Sequence, residues 1–183
     1  MHRVPAAWEA AGQKSCYHDN RNGTGSGINP LAVTRMAVTM ARMVDIGAKS
    51  DVERRATATG EIALKASTIT AIRTGKVEKG DPIHTAEVAG IQAIKRTSEA
   101  LPHCHPIPLT RAAVHLEVLD HGVRCTTEVA ATYKTGVEME ALHGCAVALL
   151  TVWDMVKSLE KDGKGQYPFT AIRDLKVTAK EKG

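Results

Sequence analysis

Four charged side chains lie within one long apolar segment in the C-terminal half of the chain. Glu138 and Glu140 stand near its beginning, and Asp154 and Lys157 follow further along. Apolar residues at helical spacing predict that residues 136–161 form one helix. A charge on a helix otherwise built for burial is a candidate for chemistry or for holding a partner.

Glu140 and Asp154 are too far apart on this helix to form a local acid and base pair. Fourteen residues separate them, which corresponds to roughly 21 Å at the rise of an α-helix. Paired carboxylates of the glycosidase kind need separations below about 10 Å. We therefore expect the two groups to contact different parts of a substrate or sites in different subunits. For Glu138 and Glu140 the alternative is simple stabilisation of a helix N-terminus by negative charge.

Asp154 and Lys157 are three residues apart and so lie on the same side of the helix. One interpretation is a weak surface ion pair. The other is an acid and base pair in which the carboxylate and burial adjust the pKa of the lysine. Trp153 and Met155 flank Asp154, which leaves this turn little ordinary solvent-facing surface.

His103, Cys104 and His105 lie in a proline-rich loop. Imidazole and thiolate are zinc ligands, but adjacent residues rarely all point at one ion, and no second ligand pair follows at zinc-finger spacing. We expect histidines that hydrogen-bond a substrate rather than a metal site.

Two further basic positions are candidates for binding phosphate. Lys79 belongs to a charged, glycine-containing loop before the first long helix, and Lys95 lies later on that helix. The alternative for such residues is solvated surface. Neither a Walker A motif nor GxGxxG is present, so a phosphate would be held by point charges rather than by a glycine cradle.

The periodicity of the remaining chain predicts the elements that position these residues. Alternation of apolar and polar residues predicts a strand over 54–65, a hairpin with strands over 114–118 and 123–133, and a last strand over 169–178 followed by a charged tail. Helical spacing predicts a short turn over 68–74 and a helix over 83–100 with a stripe of small residues. The order strand, helix, strand, strand, helix, strand is that of a ferredoxin-like α+β sandwich, β-α-β-β-α-β with an antiparallel sheet.

Composition argues against a nucleic-acid-binding protein. Aromatic residues make up only 3% of the chain, and single-stranded nucleic acids are bound on aromatic stacking platforms. Residues 1–42 carry five basic and two acidic side chains, which leaves nineteen basic and eighteen acidic residues in the rest. The net charge of +4 is therefore concentrated in this N-terminal segment, and the remainder is nearly neutral.

Residues 1–42 are predicted to form a disordered or poorly ordered N-terminal extension, since 18–30 are rich in Gly, Asn and Ser. Residues 43–183 are predicted to form a single catalytic domain. No uninterrupted apolar run reaches the length of a membrane span, and the four cysteines show neither CxxC spacing nor the density of a disulfide scaffold. These features favour reduced thiols and a cytoplasmic location without membrane contact.

Six segments together resemble the molybdenum cofactor biosynthesis protein C family, the cyclic pyranopterin monophosphate synthases. They are MVDI at 43–46, KGD at 79–81, AGIQAIKRT at 89–97, LPHCHP at 101–106, KTGVEMEAL at 134–142 and DMVK at 154–157. They follow the family's order and extend over about residues 43–178. The resemblance implies a ferredoxin-like fold and a homohexamer, a trimer of dimers with the active site between subunits.

The resemblance also implies a reaction and a set of residues. The substrate is a cyclised dihydroguanosine triphosphate, and the products are cyclic pyranopterin monophosphate and pyrophosphate. No cofactor is implied, although assistance of the triphosphate by Mg is left open. Asp154, Lys157 and Lys79 match the catalytic positions. The resemblance leads us to expect Asp154 and Lys157 to carry the acid and base steps, and Lys79 to carry either proton transfer or stabilisation of phosphate charge. The matching substrate-binding positions are His103, Cys104, His105, Met139, Glu140 and Glu138, with Lys95 and Arg54 as expected triphosphate contacts.

Three departures from the family pattern stand out. His103 occupies a position where leucine is common, the charged residues 179–183 replace a glycine-rich extension, and residues 1–42 match nothing in the family. The alternative function is a non-catalytic nucleotide-binding or assembly homologue of the same pathway. Loss of Lys79, Asp154 or Lys157 would favour that alternative, but all three are present.

Overall fold

The computed structural model describes residues 41–183, and small residues alternating with polar ones produce its central strand. In β1 the residues Ala56, Ala58, Gly60 and Ile62 are buried, whereas the residues between them are partly exposed. The elements in chain order are β1 (Val52–Ala63), α1 (Ala66–Arg73), α2 (Pro82–Lys95), α3 (Thr97–Ala100), β2 (Leu109–Val118), β3 (Gly122–Tyr133), α4 (Glu138–Glu160) and β4 (Ala171–Lys182).

The four strands form one antiparallel sheet in the order β2-β3-β1-β4. Helix α2 lies on the connection from β1 to β2, and β3 lies between these two strands in the sheet. Helix α4 connects β3 to β4, and β1 lies between those two strands. This is the split β-α-β arrangement, and the predicted ferredoxin-like α+β sandwich is confirmed.

Glycines bring the two long helices into backbone contact. A Cβ added at Gly144 on α4 would lie 2.4 Å from Cγ1 of Ile94 on α2, and one added at Gly90 would lie 3.1 Å from the carbonyl oxygen of Gly144. The small-residue stripe predicted for α2 therefore packs against α4. The hydrophobic core contains mainly Ala, Val, Ile and Leu, and this composition permits the close approach.

Three predicted element boundaries are wrong. The strand predicted over 114–118 begins at Leu109, which already pairs with Ala131 of β3. The helix predicted over 83–100 ends at Lys95, because Arg96 leaves helical geometry with φ −113° and ψ 18°, and the short α3 follows. Buried Thr97 lies 3.2 Å from the carbonyl of Ala93 and 3.1 Å from that of Ile94, so its hydroxyl satisfies the end of α2. A side chain that bonds back to the preceding turn competes with helix continuation.

The charged tail predicted after residue 178 is instead part of β4. This strand runs to Lys182, with Lys180 opposite Ala56 and Lys182 opposite Arg54 of β1. An edge strand tolerates charged residues, because one of its sides faces solvent. Alternation of apolar residues, the signal used for the prediction, is lost there although backbone pairing continues.

Helix α4 has the length and hydropathy of a membrane-spanning segment by composition alone. Half of its most apolar window is buried inside the fold, where it covers the sheet. It is the core helix of this domain. The predicted extension over 1–42 lies outside the described residues except for its last two positions.

Candidate active site

Lys79, Asp154 and Lys157 meet at one end of α4. The Nζ of Lys79 lies 2.8 Å from Oδ2 of Asp154 and 2.9 Å from its backbone carbonyl oxygen, and the Nζ of Lys157 lies 2.7 Å from Oδ1. Each oxygen of the Asp154 carboxylate thus accepts a hydrogen bond from a different ammonium group. The pair predicted at spacing i,i+3 is a triad, because a lysine 75 residues distant in sequence joins it.

The loop before α2 brings Lys79 to this position. Asp81 caps the helix, with its Oδ1 accepting from the backbone N–H groups of Ile83 and His84 at 2.9 and 3.2 Å. Gly80 adopts φ +95°, a left-handed conformation that glycine accepts without strain. The buried side chain of Val77 anchors the loop on its other side. Lys79 is therefore held between a buried anchor and a helix cap.

The C-terminal end of α4, where the triad lies, is held by a buried carboxylate. Glu160 is fully buried and accepts hydrogen bonds from the backbone N–H of Lys65 at 3.1 Å and from Oγ1 of Thr170 at 2.5 Å. Two turns earlier on α4, Trp153 packs edge-on against Tyr167 with ring centroids 5.7 Å apart. These contacts tie the C-terminal part of α4, which carries Asp154 and Lys157, to the connection between β1 and α1 and to the loop before β4.

The two lysines keep Asp154 ionised. The hydrogen bond from Lys157, followed by that from Lys79, lowers the pKa of Asp154 to about 2. In turn, the hydrogen bond to Asp154 raises the pKa of Lys157. The triad therefore carries one negative and two positive charges at neutral pH, and its net positive charge suits a phosphate-bearing substrate.

A separate cavity of about 240 Å³ lies at the N-terminal end of α4. Its lining includes all six of the substrate-binding residues predicted in the LPHCHP and KTGVEMEAL segments, namely His103, Cys104, His105, Glu138, Met139 and Glu140. The loop before β2 supplies one wall, and the turn that begins α4 supplies the other. The structure thus brings together residues that lie more than 30 positions apart in sequence.

Burial raises the pKa of two groups in this cavity. Only 4% of Glu140 is exposed, and burial raises the pKa of its carboxyl group. Burial also raises the pKa of the Cys104 thiol, and the nearby charge of Glu140 adds to the effect. Both groups are therefore biased toward the protonated forms, in which they can donate hydrogen bonds.

Cations surround Glu138 at the edge of the same cavity. Burial disfavours its ionised form, but the hydrogen bond from Lys180 and the charges of Lys180 and Arg54 outweigh burial and lower its pKa. The Nε of Arg54 is buried and has no hydrogen-bond partner within residues 41–183. Lys180 was missed from the sequence because it lies in the segment interpreted as a tail. The backbone pairing of β4 with β1 places it here.

Lys95 lies beside this cavity rather than in it. It lines a smaller space of about 70 Å³ that shares His105, Ile107 and Glu140 with the larger one.

For the metal alternative, residues 41–183 contain no group of three His, Cys, Asp or Glu side chains placed to hold an ion.

One chain therefore holds two clusters of candidate residues, at opposite ends of α4. The triad contains Asp154, and the cavity contains Glu140. Their separation of roughly 21 Å along a continuous helix agrees with the prediction that these carboxylates do not act within one local site of a single chain.

Comparison with known proteins decides the family. The MoaC family model matches residues 43–183. The chain belongs to the MoaC family. It is 55% identical over 142 residues to a protein of Thermococcus kodakarensis, covering 78% of this chain and 91% of that protein. It is 54% identical over 150 residues to one of Methanosarcina acetivorans, covering 82% and 95%. Both relatives are named probable cyclic pyranopterin monophosphate synthases.

The family assignment confirms the resemblance derived from the six segments. The family match begins at residue 43 and continues to residue 183. It therefore includes the charged residues 179–183, although their sequence departs from the glycine-rich pattern.

Proposed function

We propose that this MoaC family member is a cyclic pyranopterin monophosphate synthase, a lyase of molybdenum cofactor biosynthesis. It converts (8S)-3',8-cyclo-7,8-dihydroguanosine 5'-triphosphate to cyclic pyranopterin monophosphate and pyrophosphate. The observation that carries the proposal is the Lys79–Asp154–Lys157 triad, assembled from two distant segments. The names of relatives more than 50% identical over most of the chain support it.

We propose separate roles for the three residues of the triad. Opening the purine imidazole and closing the pyran require proton transfers, and the cyclic phosphate forms when a hydroxyl attacks the α-phosphorus and pyrophosphate leaves. Asp154, with its pKa lowered to about 2, is a poor proton donor at neutral pH. We assign it to holding the two ammonium groups. Lys157, whose pKa the hydrogen bond to Asp154 raises, donates a proton from its ammonium group, and Lys79 stabilises charge on the phosphate.

The cavity at the other end of α4 binds the substrate in this proposal. Its His103, Cys104, His105 and Met139 surround a space that fits part of a nucleotide-sized ligand. Arg54 and Lys180 supply positive charge at its edge, and Lys95 supplies charge beside the smaller space. Because the leaving group is pyrophosphate, such cations stabilise the charge that develops on it.

A homohexamer arranged as a trimer of dimers reconciles the two clusters. If the triad of one subunit faces the cavity of its neighbour, both act on one substrate although α4 separates them within each chain. The separation of the clusters supports this arrangement. Subunit stoichiometry from sedimentation or light scattering tests it, and a stable monomer with full activity would contradict it.

Substrate turnover tests the proposed function directly. The full-length protein is incubated with the cyclised triphosphate, and pyrophosphate and the pterin product are followed together. We expect both products in equal amounts, and their yield with and without EDTA decides whether a divalent ion such as Mg assists. No redox cofactor is expected. Fractionation of the source cells tests the cytoplasmic location.

The matched control is Asp154→Asn, which keeps the size of the side chain but removes the charge that holds both lysines. We expect a loss of roughly 10²–10⁴-fold in kcat with an unchanged oligomer. Binding of the triphosphate by the wild type without pyrophosphate release would instead identify the non-catalytic homologue.

A further inference from the structure

A short segment ahead of β1 connects the two walls of the substrate cavity. The backbone carbonyl of Val44 accepts a hydrogen bond from Nε2 of His105 at 2.8 Å. The backbone carbonyl of Gly47 accepts one from Nζ of Lys134 at 2.9 Å. His105 belongs to the loop that forms one wall, and Lys134 directly precedes Thr135 and Gly136 in the other. We name residues 44–47 the strap.

The strap has a defined conformation of its own. Oδ1 of Asp45 accepts from the backbone N–H of Gly47 at 2.8 Å, and the N–H of Lys49 donates to the carbonyl of Ile46 at 3.1 Å. Ile46 is 9% exposed, whereas Asp45 and Gly47 beside it are open to solvent. A single apolar anchor and a local turn therefore present two carbonyl oxygens to the cavity walls.

The contact with Val44 determines which nitrogen of His105 carries hydrogen. A carbonyl oxygen only accepts hydrogen bonds, so Nε2 is the donor. In the neutral imidazole, Nδ1 is then the nitrogen without hydrogen, and it alone can accept a proton or a hydrogen bond. The titratable side chains that line the two cavities with His105 are His103, Cys104, Glu138, Glu140 and Lys95.

We propose that the strap is a positioning element of the active site, which holds His105 in the tautomer with Nδ1 free to accept hydrogen from the substrate. The role assigned to His105 rests on the proposed function. The strap acts through His105 and contacts no reacting atom itself. Lys134 is its second attachment point, so loosening this attachment releases the constraint on His105 without changing the ring.

The test measures the tautomer and turnover separately in full-length protein. Histidine labelled with ¹³C and ¹⁵N reports the tautomer through its ring chemical shifts, with the His105 signal identified by its loss in His105→Gln. These spectra are recorded without substrate. For the wild type we expect the tautomer with hydrogen on Nε2. For Lys134→Met we expect an increased fraction with hydrogen on Nδ1 and a fall in kcat of about tenfold, less than the loss from removing an acid or base outright.

Two control variants separate positioning from general stability. Lys134→Arg keeps a donor for the Gly47 carbonyl, so it is expected to keep the wild-type tautomer of His105 and the wild-type kcat. Lys49→Met removes an exposed lysine near the strap and is expected to change neither. The proposal is overturned if wild-type His105 carries its hydrogen on Nδ1, or if Lys134→Met retains the wild-type tautomer. If Lys134→Met does not fold, the wild-type spectrum still tests which nitrogen of His105 carries hydrogen. If the protein releases no pyrophosphate, the proposed function is refuted, but the spectrum still tests the role of the strap.

Discussion

Replacing Gly144 by alanine tests whether the close contact between α2 and α4 supports the catalytic triad. The added Cβ would lie 2.4 Å from Cγ1 and 2.8 Å from Cδ1 of Ile94, and 3.1 Å from the carbonyl oxygen of Gly90. Non-bonded carbons prefer separations of about 3.5–4.0 Å. Ile94 is only 1% exposed, although it lines the small space beside Lys95, so either its side chain changes conformation or α2 shifts.

The expected cost is that of overpacking a core, about 1–3 kcal/mol of unfolding free energy. Urea unfolding followed by circular dichroism measures it, and Gly163→Ala is the matched control, because a Cβ at Gly163 would meet nothing within 4 Å. The double variant Gly144→Ala, Ile94→Ala is expected to lose less stability than the sum of its single changes, since removing the Ile94 side chain opens the space that the new methyl group needs.

A catalytic effect is expected as well. Lys79 lies just before α2 and reaches Asp154 on α4 across 2.8 Å, so moving the helices apart lengthens this contact. We expect kcat of Gly144→Ala to fall by at least about tenfold, because displacements of 1 Å at a site can cost up to 10²-fold. If Gly144→Ala keeps both the free energy of unfolding and the kcat of the wild type, the contact between α2 and α4 does not set the geometry of the triad.

Three further predictions concern individual side chains. Lys79→Met should lower kcat by roughly 10²–10⁴-fold and raise the pKa of Asp154 toward its usual value, as followed by carboxyl NMR; an unchanged pKa would show that the two groups are not paired in solution. Burial raises the pKa of Glu140, so the folded protein holds this proton more tightly than the unfolded chain does. The free energy of unfolding of the wild type should therefore fall, relative to that of Glu140→Gln, as pH rises from below the unfolded-state pKa of this carboxyl group through its folded-state pKa. Urea unfolding at pH 4 and pH 7 measures this, and equal differences at both pH values would contradict it. Lys180→Gln should raise the pKa of Glu138 and increase KM for the triphosphate more than it lowers kcat, whereas an unaltered KM would remove Lys180 from the substrate-binding residues.

The predictable part of the fold depended on local periodicity. Alternation in β1 and in the hairpin of β2 and β3, together with the helical spacing of α4, predicted these elements in the correct order. The errors at the ends of α2 and β4 arose from hydrogen bonds that apolar periodicity does not register, one set local and the other between distant strands. Thr97 ends α2 by bonding back to its last turn. Pairing with β1 extends β4 through residues whose charges resemble those of a tail.

The candidate site divides in the same way. Residue type and family resemblance selected Asp154, Lys157, His105 and Glu140, and helix geometry alone showed that the carboxylates at the two ends of α4 lie too far apart to share a local site. The sequence could not place Lys180 beside Glu138, because the two residues meet only when β4 pairs with β1 under the start of α4.

The sequence by itself determined the family, the order of the elements and the separation of Glu140 from Asp154, since each follows from residue identity or from the fixed rise of a helix. Tertiary structure alone decided that Lys79 completes a triad with Asp154 and Lys157, and that the strap bonds His105. Side chains far apart in the sequence meet only when packing brings their helices, strands and loops together, and local periodicity in the sequence does not predict such contacts.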